Sequence, residues 1–381
     1  MVQLQSVQLN LPPGMIHLGI GQPSPALLPL DMIRKAAEHR LSQSDASLLA
    51  YGAEQGDVYF RETLAGFLGS SYGEVVDPDH LFISAGASQG LDLLCTVFTQ
   101  AGDTIFVEEP SYFLALRIFA DHHLNVVPIT TDEYGLDVDA LEAKLAAHSP
   151  ALLYTIPTYH NPASVTLSKS RRERLIRLSR KHDFIIVADE VYHLLSYSES
   201  PPRPLACYAD DGKVLSLGSF SKILAPGLRL GWVQGSPELL QKLVECGLVD
   251  SGGGLNPFTS GVVKSAIEMN LLAGNITHLK SVYTHRLAVL QTAIGEEFPQ
   301  SVTFHEPRGG FFLWLKLPNG VDAGTLLKEA RKENVAFLPG TLFSSCKGLH
   351  NYMRLSFALY EEEDLQTGAR LLGKILKRHI A

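Results

Sequence analysis

The chain is poor in cysteine, with only Cys95, Cys207, Cys246 and Cys346 among 381 residues. These four lie far apart, and no Cys-x-x-Cys or Cys/His ligand spacing occurs, so a structural zinc is not expected and no metal is assigned. Buried free thiols in a reducing compartment are the expectation. Runs of one charge are missing as well. Charged residues are 19% of the chain and the net charge is −8 without a basic block, which makes nucleic acid and anionic membrane poor partners. Polar residues interrupt every apolar stretch well short of a membrane span. The first residues lack a basic segment followed by an apolar core, so no secretory leader is expected and a cytoplasmic location is. There is no internal repeat and no low-complexity tract. His122-His123 is the only histidine doublet. Adjacent side chains diverge on a helix or strand, so it reads as ordinary surface.

What is present is a globular chain, 45% hydrophobic, long enough for two domains. The first thirty residues, rich in Pro and Gly, read as an arm. From about 80 to 235, strand and helix patterns alternate: strands at His80 to Ser84, Asp103 to Val107, Leu124 to Ile129, Leu152 to Ile156 and Phe184 to Ala188, with helices at Ala87 to Phe98, Ser111 to Ala120 and Ser168 to Lys181. A continuous apolar run such as Phe184 to Ala188 marks a strand covered on both faces. The alternation predicts a mainly parallel α/β sheet. One long helix is expected from about Phe258 to Ala293, bridging to a smaller α+β unit that holds strands at Gly309 to Leu315 and Tyr352 to Phe357. The domain reading is an arm over 1–30, a large α/β domain over 31–275 and a small α+β domain over 276–381. Ligands of such sheets sit beyond the carboxyl ends of the strands, where Ser84-Ala85-Gly86, Asn161, Asp189 and Lys222 fall.

The stretch Ser216 to Trp232 carries the most chemistry. An apolar strand leads into Ser219-Phe220-Ser221-Lys222, and Arg229 follows a Pro226-Gly227 break. A lysine is a nucleophile only when its amine can be neutral, as in a desolvated or cation-rich site. Two hydroxyls and a guanidinium beside it suit a phosphate. An amine next to a phosphate site is what pyridoxal phosphate requires. A solvated lysine after a strand would read the same way, and this stretch alone leaves both open. Ala87-Ser88-Gln89 opens a helix straight after a strand, giving free N–H groups and a positive dipole end, or simply an ordinary cap. Asp189 ends a strand, as a cap or as the partner of a protonated ring nitrogen. Arg354 inside an apolar strand calls for an anion, either a structural carboxylate or that of a substrate.

Taken in order, Asn161, Asp189, Tyr192, Ser219, Lys222, Arg229 and Arg354 resemble the class I and II aminotransferases, the fold type I pyridoxal phosphate enzymes. The likeness runs from Tyr51-Gly52 to the Arg354 strand. The form Ser-Phe-Ser-Lys-x-Leu-Ala-Pro-Gly-Leu-Arg is most similar to the branch holding the 2-aminoadipate and kynurenine aminotransferases and the catalytic half of regulators fused to an aminotransferase. No winged-helix segment precedes residue 20, which implies the free enzyme form. The resemblance implies a seven-stranded, mainly parallel sheet in the large domain. It implies Lys222 as the Schiff-base lysine, Asp189 at the pyridine nitrogen, Asn161 and Tyr192 at the ring oxygen, and Tyr112 stacked on the ring. Ala87, Ser88, Gln89, Ser219, Ser221 and Arg229 form the implied phosphate cup. The resemblance further implies that Tyr51 reaches the phosphate of the neighbouring subunit in a homodimer with shared active sites, and that Arg354 clamps the substrate carboxylate with Asn161 and Gly21 beside it.

The chain departs from the family's usual Gln-Asn-Pro-Thr-Gly, reading His160-Asn161-Pro162-Ala163-Ser164, so the turn must close without its glycine. The arm is shorter than in aminoadipate enzymes, leaving Ile16 to Pro23 to approach the site. Ile16, Leu18 and Ile20, with Tyr112, suggest an apolar wall and an aromatic, large aliphatic or kynurenine-like amino donor with a 2-oxo acid acceptor. A β-eliminating lyase on cysteine conjugates would use the same lysine, and a non-catalytic cofactor-binding regulator would keep the same fold.

Overall fold

The computed structural model describes residues 11–210 and 212–380, so the first ten residues of the expected arm lie outside it. Strand β1 (Ile16–His17) belongs to the arm. The large sheet is built from β2 (Leu81–Ser84), β3 (Thr104–Glu109), β4 (Asn125–Asp132), β5 (Gly135–Leu136), β6 (Leu152–Thr155), β7 (Ile185–Asp189), β8 (Val214–Ser219) and β9 (Gly231–Gly235). Its order is β2-β9-β8-β7-β6-β3-β4-β5. The pairs β3–β4, β3–β6, β6–β7 and β7–β8 are parallel, while β9 runs antiparallel to both neighbours. The eighth strand, beyond the expected seven, is the two-residue β5, which folds back on the end of β4.

The central strands are continuous apolar runs because helices cover both faces, as β7 shows: Ile186, Val187 and Ala188 are all fully buried. The helix Lys169–His182 turns most of its charge outward, buries Arg172 beside Glu190, and sets Leu175, Ile176 and Leu178 against the sheet. The expected helix over Ser111 to Ala120 begins later, at Phe113, and leaves Ser111 and Tyr112 as extended residues at the end of β3.

The smaller unit contains β10 (Thr303–Phe304), β11 (Phe312–Lys316), β12 (Val335–Ala336), β13 (Leu338–Pro339) and β14 (Tyr352–Ser356). Its antiparallel sheet runs β10-β11-β14-β13, and β12 pairs in parallel with β1 of the arm. The single helix expected over Phe258 to Ala293 is two, Pro257–Glu268 and Leu271–Glu297. Asn270 between them has φ 55°, a left-handed residue that ends one helix and starts the next. The expected domain boundary at 275–276 falls inside the second helix. Of the four cysteines, none bridged, only Cys95 is fully buried and Cys346 is exposed. Apolar patterning does not distinguish a core thiol from a surface one. His122 lies at the surface, its Nε2 2.8 Å from Asp92.

The arm is anchored by side chains that were expected to line the site. Leu18 is fully buried in the core of the small unit, and a Cβ on Gly368 would lie 3.0 Å from its Cδ1 and 3.1 Å from Cγ2 of Ile16. Backbone bonds hold it on both sides, Leu18 N–H to the Ala336 carbonyl at 2.8 Å and Ser356 N–H to the Leu18 carbonyl at 2.5 Å. Alternation along an extended segment sends Ile16 and Leu18 to one face, and that face is the core. Leu18→Ala is therefore expected to cost about 2–5 kcal/mol in urea unfolding, against less than about 0.5 for the exposed Val75→Ala; equal effects would show that the arm is not an integral part of the fold.

Candidate active site

The site sits where the parallel strands of the large sheet end. Gly231 starts β9 between Ser84 at the end of β2 and Ser219 at the end of β8. A Cβ on Gly231 would lie 2.6 Å from the Gly218 carbonyl and 3.0 Å from the Gly86 Cα, so only glycine lets these two strand ends approach so closely. The approach brings the N-terminus of helix Ala87–Phe98 beside the Ser219–Lys222 turn. Gly86 caps that helix at φ 94° with no side-chain cap, and a Cβ there would meet the Arg229 guanidinium at 2.8 Å. Gln89 Oε1 takes the Ala85 N–H at 3.0 Å. Ser221 N–H donates to the Ser219 hydroxyl oxygen at 3.1 Å, and that hydroxyl donates to Ser221 Oγ at 3.0 Å. Among the described residues Arg229 donates to the carbonyls of Pro226 and Ala85. Helix N–H groups, two hydroxyls and a guanidinium thus share one corner, a ready anion cup.

Lys222 lies above this floor. Its ammonium donates to the Gly21 carbonyl at 3.1 Å and stands 5.5 Å from the Phe311 ring and 5.9 Å from the Tyr192 ring. Burial pulls its pKa down to about 8, with Arg354 and Arg229 adding to the shift and Asp189 opposing it. Asp189 ends β7, its carboxyl raised above the usual range by burial and drawn back by the Tyr154 hydrogen bond. Tyr154 on the adjacent β6 donates to Oδ2 at 2.8 Å, and the buried Oδ1 has no partner. Tyr192 is buried against Phe311 and Phe312. Tyr112 is pushed to about 12 by burial, with Asp189 and Arg354 within electrostatic reach.

Arg354, on β14, is only 3% exposed. Nη1 donates to Asn161 Oδ1 and Nη2 to the Gly19 carbonyl, both at 2.6 Å. The guanidinium lies 3.9 Å from the Phe312 ring centroid and 4.9 Å from that of Phe343, a cation held by aromatic faces. Its buried Nε has no partner, and burial lowers its pKa to about 10. Among the described residues no carboxylate pairs with Lys222, Arg229 or Arg354. The site therefore holds three cations and one anion, Asp189, and awaits negative charge from outside.

The structure brings together Gly21, Ala87, Ser88, Gln89, Tyr112, Asn161, Asp189, Tyr192, Ser219, Ser221, Lys222, Arg229 and Arg354 around this cleft. Tyr51 is the exception, 90% exposed beside the Gly52–Gly254 bridge rather than packed in its own core. Sequence reasoning missed Tyr154, whose hydroxyl turns one oxygen of Asp189 inward. It also missed Gly19, Phe312 and Phe343, which contact the arginine through backbone or ring faces. Tyr154 was legible only as a residue two places before the end of a buried strand; nothing local marked the others.

The model of class I and II aminotransferases matches residues 13–372. The chain belongs to that family. It is 34% identical over 96% of its length to aromatic-amino-acid aminotransferase 1 of Thermococcus litoralis, covering 88% of that protein. It is 32% identical over 98% to the 2-aminoadipate transaminase of Thermus thermophilus, covering 93%. A solved kynurenine aminotransferase of Pyrococcus horikoshii superposes with a TM-score of 0.91 at 33% identity, over 97% of this chain and 92% of that one. The enzyme is an aminotransferase of fold type I, and its cofactor is pyridoxal phosphate. The residues present fit that group: the unpartnered Asp189 Oδ1 suits a ring N–H, and the cup suits a phosphate.

The free amine of Lys222 is expected to titrate at about 8 in cofactor-free protein. Because the folded value lies below the unfolded one, the charged amine costs stability below pH 8, and stability is regained as pH rises from about 8 toward 10.5. NMR of 13C-methylated lysines should show a resonance titrating at about 8 that is absent in Lys222→Ala; a spectrum in which no resonance lost in that variant titrates below 10 would contradict the burial argument.

Proposed function

We propose that the enzyme moves the α-amino group of an aromatic, large aliphatic or kynurenine-like amino acid to a 2-oxo acid, with Lys222 carrying the proton. The observation that carries this is the balance of charge in the cleft. Once Arg229 and the helix N-terminus hold a phosphate, Arg354 remains as the one cation free for a substrate carboxylate. The walls around it are Phe312, Phe343 and Tyr112, which favour an apolar side chain.

When bound, pyridoxal phosphate supplies an aldehyde carbon that takes up an amine and a ring that accepts the electron pair left at the substrate Cα. The chain's own residues do the remainder. Asp189 Oδ1 accepts the ring N–H, and Tyr154 keeps Oδ2 occupied so that the carboxylate stays ionised and aimed. Asn161 gives its carbonyl oxygen to Arg354 and so has its amide N–H groups left to donate to the ring oxygen, with the Tyr192 hydroxyl nearby. Tyr112, buried with Asp189 and Arg354 within electrostatic reach, would hold the ring from one face. Lys222 Nζ, its pKa drawn down to about 8, is placed to take the proton from Cα and would hand it on to the cofactor's former aldehyde carbon across the shared nitrogen, a task suited to a group poised near working pH. Arg354 orients the carboxylate by a two-pronged pair, which fixes the Cα–H bond direction.

A homodimer completes the site in this reading. Leu49 and Tyr59 on elements packed against the helix Pro257–Glu268, Phe258 in its first turn, and Tyr51 and Leu248 are exposed, apolar surface that a second copy would cover. Tyr51 then reaches the partner's phosphate. The protein should sediment as a dimer, and Tyr51→Phe should speed cofactor loss severalfold; a fully active monomer would overturn this.

The substrate reading is tested with a panel of amino donors and keto acids. Phenylalanine, leucine and kynurenine should be preferred, and turnover should require a keto-acid acceptor, which separates transfer from elimination. Arg354→Lys should raise KM about tenfold or more, since a point charge cannot reproduce the fork. Strict preference for aspartate or 2-aminoadipate would defeat the apolar reading.

A further inference from the structure

We propose that Glu108 and His160 form a buried positioning pair that sets the aim of Arg354 through Asn161. Glu108 is next to last in β3 and His160 follows β6, and each is 1% exposed. Nothing in the chemistry above uses either of them. The His160 backbone is bonded at both ends, its N–H to the Val165 carbonyl at 2.9 Å and its carbonyl to the Ser164 N–H at 2.6 Å. Its ring then closes the turn from inside. Nδ1 accepts the Ala163 N–H at 3.2 Å, which assigns the ring proton to Nε2. Nε2 lies 3.0 Å from Glu108 Oε2, approaching obliquely. The same Oε2 accepts the Ile156 N–H at 2.7 Å, tying the pair to the end of β6.

The turn so held is the one that departs from the family pattern. Ser164, where glycine is usual, adopts φ 61°, and its hydroxyl donates to the Phe312 carbonyl at 2.6 Å. Between these anchors sits Asn161, whose Oδ1 receives Arg354 Nη1 at 2.6 Å. One face of the Arg354 fork therefore rests on a residue whose place is set by its neighbour's imidazole. Glutamine, usual at position 160 in the family, offers the same acceptor and donor, so the two side chains are interchangeable in this role. Without either, the Ala163 N–H is left buried and unmatched and Glu108 keeps only its Ile156 bond, so the turn relaxes to satisfy the freed group.

The inference rests on the reading that Arg354 grips the substrate carboxylate, and the test separates the two. With the cofactor-loaded enzyme, the inhibition constant of 3-phenylpropanoate is measured beside the single-turnover rates with phenylalanine and with phenethylamine, which lacks the carboxylate. His160→Ala is expected to weaken 3-phenylpropanoate and slow phenylalanine each about tenfold, with phenethylamine unchanged. His160→Gln should recover wild-type values and Glu108→Gln should keep them, because the Ile156 hydrogen bond and the His160 contact fall on one Glu108 oxygen. Unchanged inhibition in His160→Ala, equal loss with both amines, or no recovery in His160→Gln would overturn the proposal. A wild-type enzyme indifferent to the carboxylate would remove the Arg354 reading itself, and the pair's role with it.

Discussion

A buried guanidinium without a buried acid is the constraint around which this molecule is arranged. Taking a charge out of water is costly unless hydrogen bonds and polarisable neighbours replace the solvent. Arg354 finds these in pieces of chain far apart in sequence: the Gly19 carbonyl in the arm, Asn161 in a turn of the large sheet, and the rings of Phe312 and Phe343 in the small unit. The arm, the turn and both sheets must be correctly placed for the cation to be tolerated at all. Its Nε has no partner among the described residues, and its guanidinium lies on the Phe312 and Phe343 rings with no carboxylate beside it.

The same imbalance explains the tuning of the other ionisable groups. Lys222 is drawn down toward neutrality first by burial and then by two neighbouring guanidiniums, whereas the single acid, Asp189, is pushed up by the same burial. Each group on its own is held away from its comfortable state, and a phosphate and a carboxylate arriving together would relieve the excess of positive charge. Opposed shifts in adjacent groups are a common signature of catalytic sites. Here they arise from geometry that Gly231 and Gly86 make possible by letting strand ends and a guanidinium crowd together.

The large sheet was largely legible from the chain. Continuous apolar runs such as that ending in Asp189 and a helix starting at Ala87 have local signals, and the strands and helices follow them within a few residues. Motif residues at strand ends converge because parallel sheets place all such ends on one edge. What failed was decided by tertiary context. The apolar residues of the arm pointed to a pocket wall, but Ile16 and Leu18 face the core because β1 pairs with β12, a contact over 300 residues away that no local pattern discloses. The break at Asn270 was invisible because both flanking segments are good helix, and asparagine's tolerance of left-handed backbone shows only in three dimensions. Gly19, Phe312 and Phe343 could not be found since a carbonyl and a ring face carry no sequence signature.

The pairing of β1 with β12 has a mechanical corollary. The arm begins the chain yet is hydrogen-bonded and packed into the small unit, so it travels with that unit as a single jaw. Any shift of the jaw relative to the large sheet carries Arg354, the Gly19 carbonyl and the Gly21 carbonyl in step, while Lys222 and Asn161 remain with the anvil. If Arg354 grips a carboxylate as proposed, that grip and the release of the lysine ammonium would be geared to one stroke.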